Sequence, residues 1–218
     1  MPEQIRGTSF FPGGTGLWCE SSRIVPALPI GGVMVLGHDF HNVAGYNKAK
    51  HNVKENLRSP TWRNLIKFLD DTSIDLRHCF FTNVFMGLRQ GVAVTGPFPG
   101  RSSPEFVARC QEFFLRQVAL QQPKIVLALG THVPKFLAPL SRQLTCWKSP
   151  ADFRGRDANN LALIANVKFH RAPQRCVVVS IVHPSFHDQN VRLRHWRGRV
   201  GDAAELALVF EAKRRTNI

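Results

Sequence analysis

Four short, unbroken apolar runs stand out along the chain: VMVLG at 33–37, HCFFTNV at 78–84, KIVLALG at 124–130 and CVVVSIV at 176–182. A strand with one wet face alternates apolar and polar positions. Continuous runs instead predict strands covered on both faces. Helical spacing fills the intervals. SPTWRNLIKFLDD offers Ser59 as a cap, Pro60 in the first turn, and Trp62, Leu65, Ile66 and Leu69 on one face. SPEFVARCQEFFLRQVAL repeats the device with Ser103 and Pro104, then Val107, Cys110, Phe114 and Val118. GDAAELALVFEAKRR begins at Asp202 and closes on Lys213, Arg214 and Arg215, cations that suit the negative end of a helix. Gly130-Thr131 reads as a strand end feeding a helix capped by Thr131. The alternation predicts the α/β class: a three-layer α/β/α sandwich around a central, mostly parallel four-stranded sheet. Residues 87–103 read as a long Gly/Pro-rich loop, and 141–175 as a less regular surface excursion. No repeat or low-complexity linker divides the chain, so a single domain over 1–218 is expected.

The first run ends abruptly in GHDFHN, which places His38, Asp39 and His41 directly behind a buried strand. In open parallel sheets, ligands bind beyond the carboxyl ends of the strands. Asp39 comes just after the first run, Asn83 closes the second and His183 comes just after the fourth. Three polar residues from three distant segments are thereby expected at one pocket. Each has a plainer reading. Asp39 caps a turn, Asn83 bonds the sheet edge, or His183 before Pro184 is structural.

Charge narrows the class of partner. Lys and Arg number 29 against 15 Asp and Glu, a net of +14, with an isoelectric point near 10.5. Such an excess suits a polyanion, most often nucleic acid. No basic amphipathic helix points to a membrane surface, and no apolar stretch is long enough to span a bilayer. The 44% hydrophobic content, with 16 Phe, is enough for a real core and argues against disorder. The five cysteines, Cys19, Cys79, Cys110, Cys146 and Cys176, form no C-x-x-C pair. Zinc and iron–sulfur binding thus have no sequence support, and a metal on His38, His41, His183 and His187 has none either. The odd cysteine count and the lack of a recognisable signal peptide point to a reducing, cytoplasmic setting, nucleoid-associated if bacterial.

Four segments in order, GHDFH, FFTNV, QPKIVLALGTHV and HPSFHDQN, resemble the uracil-DNA glycosylase superfamily over roughly residues 30–210. GHDFH resembles its Gly-x-Asp-Pro-Tyr turn, FFTNV the strand bearing a uracil-reading Asn, and HPSFHDQN the His-Pro-Ser loop that enters DNA. Phe40 and His41 replace the Pro-Tyr of the best-studied branch, where the Tyr excludes thymine. The usual base-stacking position falls near Asn52, which is not aromatic; Tyr46, Phe40 and Trp62 are the substitutes.

The resemblance implies a monofunctional glycosylase that flips uracil out of DNA and hydrolyses its N-glycosidic bond, leaving an abasic site. It needs no cofactor and no iron–sulfur cluster. Its substrate is uracil-containing DNA, single- or double-stranded, and it acts as a monomer. Asp39 would face the oxocarbenium-like sugar, and His183 would donate to uracil O2 as charge develops there. Asn83 would match uracil O4 and N3–H, with His38, Phe40, His41 and Tyr46 around the base. In PSFHDQNVRLRHWRGR, Phe186 and Trp196 are interleaved with Arg192, Arg194, Arg197 and Arg199. Ser185, Phe186, His187, Arg192 and Arg194 are expected on DNA, with Phe186 or His187 as wedge. Arg101 and Ser102, at a helix start, would hold a phosphate. Two other readings stand beside this one. One is a low-turnover protein of the same fold that binds uracil-DNA or abasic sites. The other is a different hydrolase, which the missing Gly-x-Ser-x-Gly elbow disfavours.

Overall fold

In the computed structural model, which describes residues 29–52, 56–150 and 152–218, the four apolar runs become strands. They are β1 (Val33–Gly37), β2 (Cys79–Asn83), β3 (Ile125–Leu129) and β5 (Cys176–Ile181). β1 pairs in parallel with β2 and β3, and β3 with β5. Side chains of a strand alternate between faces, and here both faces are apolar. Val33, Val35, Ile125, Leu127, Val177 and Val179 face one core cluster; Met34, Leu36, Val126, Ala128 and Val178 face the other.

The sheet carries a fifth strand beyond the four expected. β4 (Leu163–Val167) lies antiparallel to β5 at the edge, giving the order β2-β1-β3-β5-β4. It arises inside the stretch expected to be a surface excursion.

Helices cover both faces. α2 (Pro60–Asp71) starts where predicted: the Ser59 hydroxyl accepts the Trp62 amide, and Trp62, Leu65 and Leu69 pack inward. α7 (Gly201–Thr216) joins it, adding Ala204, Leu208, Val209 and Ala212. The opposite face takes α3 (Pro104–Gln121), capped by Ser103, and the short α4 (His132–Leu137). Thr131 stands at the head of α4 but makes no side-chain cap bond. α1 (Val43–Asn52) comes after β1, α5 (Phe153–Ala158) precedes β4, and α6 (His187–Asn190) comes after β5. A two-residue-stranded hairpin, β6 (His195–Trp196) with β7 (Arg199–Val200), leads into α7. None of the helices among the described residues is long and apolar enough to cross a membrane. Cys79, Cys110 and Cys176 are buried free thiols, and Cys146 is half-buried; Cys19 lies outside the described residues.

The strand register brings the functional segments together. Gly37 pairs with Asn83, Leu36 with Ala128, and Leu129 with Ile181. The four parallel strands therefore end level, and the loops leaving their carboxyl ends meet at one place.

Candidate active site

Beyond that common edge lies a cavity of about 1280 Å³. Pockets for small ligands span about 300–1,000 Å³, so the size suits a nucleotide with its attached backbone. His38, Asp39, His41, Asn83, His183, Ser185 and Phe186 all line it. The three residues expected to converge from separate strands thus do so.

Asp39 is fixed by a residue that no sequence pattern marks. Arg89, buried in the long loop after β2, reaches Asp39 with Nη2 2.7 Å from Oδ2 and Nε 3.1 Å from Oδ1. The same guanidinium donates to the carbonyls of Thr95 (2.9 Å), Gly96 (2.7 Å) and Pro97 (3.3 Å), so one cation pins both the carboxylate and the loop wall. His38 Nδ1 lies 2.8 Å from Asp39 Oδ2, and the His41 amide donates to Oδ1 at 3.0 Å. Burial alone would raise the proton affinity of Asp39. The hydrogen bonds and charges of His38 and Arg89 outweigh it and hold the carboxyl at about 2. Asp39 is a fixed anion.

The turn after Asp39 stores strain. His41 has φ +74°, a left-handed conformation unusual for a side-chain-bearing residue. It is held there because its amide bonds Asp39, its carbonyl accepts the Arg89 amide, and Asn42 next to it caps α1 through Gly45.

His183 opens the turn Pro184–Phe186, and the geometry fixes its tautomer. Nδ1 accepts the Ser185 amide at 3.3 Å and faces the Ser185 hydroxyl at 2.7 Å. A nitrogen that accepts a backbone N–H carries no proton, so the neutral ring bears its hydrogen on Nε2. Burial, reinforced by the nearby His38, pushes His183 down to about 4, and the Asp39 charge only partly opposes this. The ring is a neutral donor at physiological pH. Gly130 makes room for it: φ there is +80°, and a Cβ would sit 3.3 Å from that of His183.

Asn83 is buried at the end of β2 and lines the cavity. His132, at the start of α4, joins the site without a sequence signal of its own. It lines the cavity and stacks on His38, with ring centroids 4.9 Å apart. Burial lowers its proton affinity, with His38 next in effect. Residues 56–61, which lead into the first turn of α2, also line the cavity, although their sequence signals only a helix start.

Other expectations land elsewhere. Phe40 is buried and Tyr46 half-buried, and both lie outside the cavity lining. Trp62 is buried with its ring edge-on to Phe81, as a core residue. The Phe153 ring, also at the cavity, is faced by the guanidiniums of Arg194 (5.0 Å) and Arg156 (5.4 Å). Phe186 is the exposed aromatic at the mouth, 6.1 Å from the His183 ring. His187 lies against Asp202, Nε2 to Oδ1 3.0 Å, at the start of α7 rather than in the cavity.

Arg194 is not the DNA contact that its basic surroundings suggest. It is fully buried, ion-paired to Asp157 at 3.1 Å and bonded to the Ser180 carbonyl at 2.9 Å. Trp196 is likewise core. Arg192, Arg101 and Ser102 are exposed and available to a phosphate backbone. None of the three lines the cavity.

A sequence model of the Uracil DNA glycosylase superfamily matches residues 47–199, well over half the chain. The protein belongs to that superfamily, and DNA glycosylase chemistry in general goes with the membership. The matched stretch includes Asn83 and His183 but starts after Asp39. Among curated proteins, no sequence matches the chain.

Proposed function

We propose that the protein is a monofunctional uracil-DNA glycosylase. The observation that carries this is the pairing of a fixed anion with a fixed neutral donor across one cavity at the level strand ends. When the C1′–N1 bond breaks, the sugar gains positive charge and the base gains negative charge. The Asp39 carboxylate suits the first and His183 Nε2–H the second. One preorganised donor of this kind contributes about 3–4 kcal/mol. Asn83 presents an amide donor and acceptor together, matching uracil O4 and N3–H, whereas cytosine reverses both. Phe186, exposed at the cavity mouth, would be the wedge that fills the gap left by the flipped nucleotide. The protein would act as a monomer on DNA in the reducing interior of the cell.

One observation favours a second reading, a low-turnover binder of uracil or abasic sites: the Asp39 oxygens are already engaged by Arg89, His38 and the His41 amide. A labelled duplex carrying one uracil separates the two. Strand cleavage after alkali, lost in Asp39→Asn and His183→Ala, supports the enzyme. Tight binding without cleavage by wild type supports the binder. Absence of cleavage on uracil, hypoxanthine and xanthine refutes the glycosylase.

A further inference from the structure

We propose that His38, rather than Asp39, is the base that deprotonates the attacking water; this rests on the glycosylase reading above.

The lone pairs of Asp39 are already committed. A carboxylate offers about four acceptor sites. Oδ1 accepts the His41 amide at 3.0 Å and Arg89 Nε at 3.1 Å; Oδ2 accepts Arg89 Nη2 at 2.7 Å and faces His38 Nδ1 at 2.8 Å. Those sites are filled, and the carboxyl is held at about 2. Such a group supplies charge and orientation but has little capacity to take a proton from water.

His38 has the complementary arrangement. Its Nδ1 faces an ionised carboxylate and must donate to it. In its neutral form the ring therefore keeps an open lone pair on Nε2. Among the described residues Nε2 has no hydrogen-bonding partner, and the residue lines the cavity. The ring is locked from two sides, stacked on His132 and edge-on to Phe85 at 5.3 Å. A carboxylate that fixes an imidazole tautomer and stabilises the imidazolium is the orienting half of a general-base pair. Arg89 anchors that carboxylate from behind.

Every atom and electron pair in the step has a destination. The water oxygen forms a bond to C1′ as the C1′–N1 bond breaks. The bonding pair leaves with uracil, whose O2 takes a hydrogen bond from His183 Nε2–H. The water proton goes to His38 Nε2, and the resulting imidazolium stays paired with Asp39. The charged and titratable groups around His38 are Asp39, which Arg89 holds, His132 and His183, with Lys135 and Arg101 acting on His132.

The test is single-turnover uracil release across pH for wild type, His38→Asn, and His38→Ala with and without added imidazole. Uracil-DNA affinity is measured alongside. Asn keeps a donor toward Asp39 and removes the base. The expected result is a fall of about 10²-fold or more in rate at unchanged DNA affinity. The wild-type rate should rise with pH and His38→Asn should lose that rise, while neutral imidazole should restore His38→Ala. A His38→Asn rate within a few-fold of wild type overturns the proposal and leaves the glycosylase standing. So does a slower rate with the wild-type pH rise intact, which would assign His38 to packing. A wild type inert on uracil overturns both.

Discussion

Asp39 and His183 sit across one cavity with their proton affinities displaced in the same direction for opposite reasons. Partners hold Asp39 down against its burial, whereas burial itself pushes His183 down. The consequence is two separate acid transitions. Unfolded His183 takes up a proton near 6.5, but the folded ring refuses it until about 4. Stability is thus complete above that window and falls as pH drops through it, by about 3 kcal/mol. Asp39 is ionised when folded down to about 2, against an ordinary 3.8. Its contribution of about 2 kcal/mol is present above 3.8 and lost as pH falls toward 2. Melting temperature against pH should show both slopes, with His183→Gln removing the upper one only. Arg89→Ala should cost about 3–5 kcal/mol by stripping the arginine from the Asp39 carboxylate and from the loop carbonyls it holds, visible in urea unfolding at neutral pH. Arg89 is illegible in the chain because an arginine in a Gly/Pro-rich loop looks solvated. Its partner lies 50 positions away, and no local period encodes such a contact.

At the scale of elements, legibility tracks burial. β1, β2, β3 and β5 are covered on both faces, so their runs are unbroken and their bounds fall within a residue or two of those expected. β4 is an edge strand with partly exposed residues, a register shift between Ile164 and Val167, and a positive φ at Asn166. Its LIANV sequence carries neither a clean run nor a clean alternation, and so it hides in the irregular stretch. The basic segment after His183 misleads for the opposite reason. Its turn and hairpin send Val191, Arg194 and Trp196 inward while Arg192, His195 and Arg197 face out. Charge composition alone cannot tell those sides apart. Caps are legible because their chemistry is local. Ser59 accepts the Trp62 amide at 3.4 Å, and Ser59→Ala should cost about 1 kcal/mol. The same helix start lines the cavity, so loosening it should also lower the proposed base release, whereas Ser103→Ala on the far face should cost similar stability without that loss. Thermal melts paired with initial rates would separate the two.

Over the whole molecule, a net charge of +14 has to be divided between residues that meet DNA and residues that hold the protein together. Lys48 and Arg58 line the cavity, and Arg101 and Arg192 are exposed. Arg89, Arg156 and Arg194 are buried. Each phosphate neutralised by a surface cation releases condensed counterion, so the logarithm of affinity falls with the logarithm of salt by about 0.9 per contact on duplex DNA. Arg58→Ala and Arg192→Ala should each flatten that slope by up to about one unit while leaving the melting temperature nearly unchanged. Arg194→Ala should do the reverse. It strips the ion partner from buried Asp157 and a donor from the Ser180 carbonyl on β5, costing about 3–5 kcal/mol with no change of salt slope in the protein that remains folded. Fluorescence anisotropy on a uracil duplex between low and physiological salt gives the slopes. A reduced slope for Arg194→Ala with unchanged stability would mean that its guanidinium swings out to DNA, and that the buried pair is one of two states.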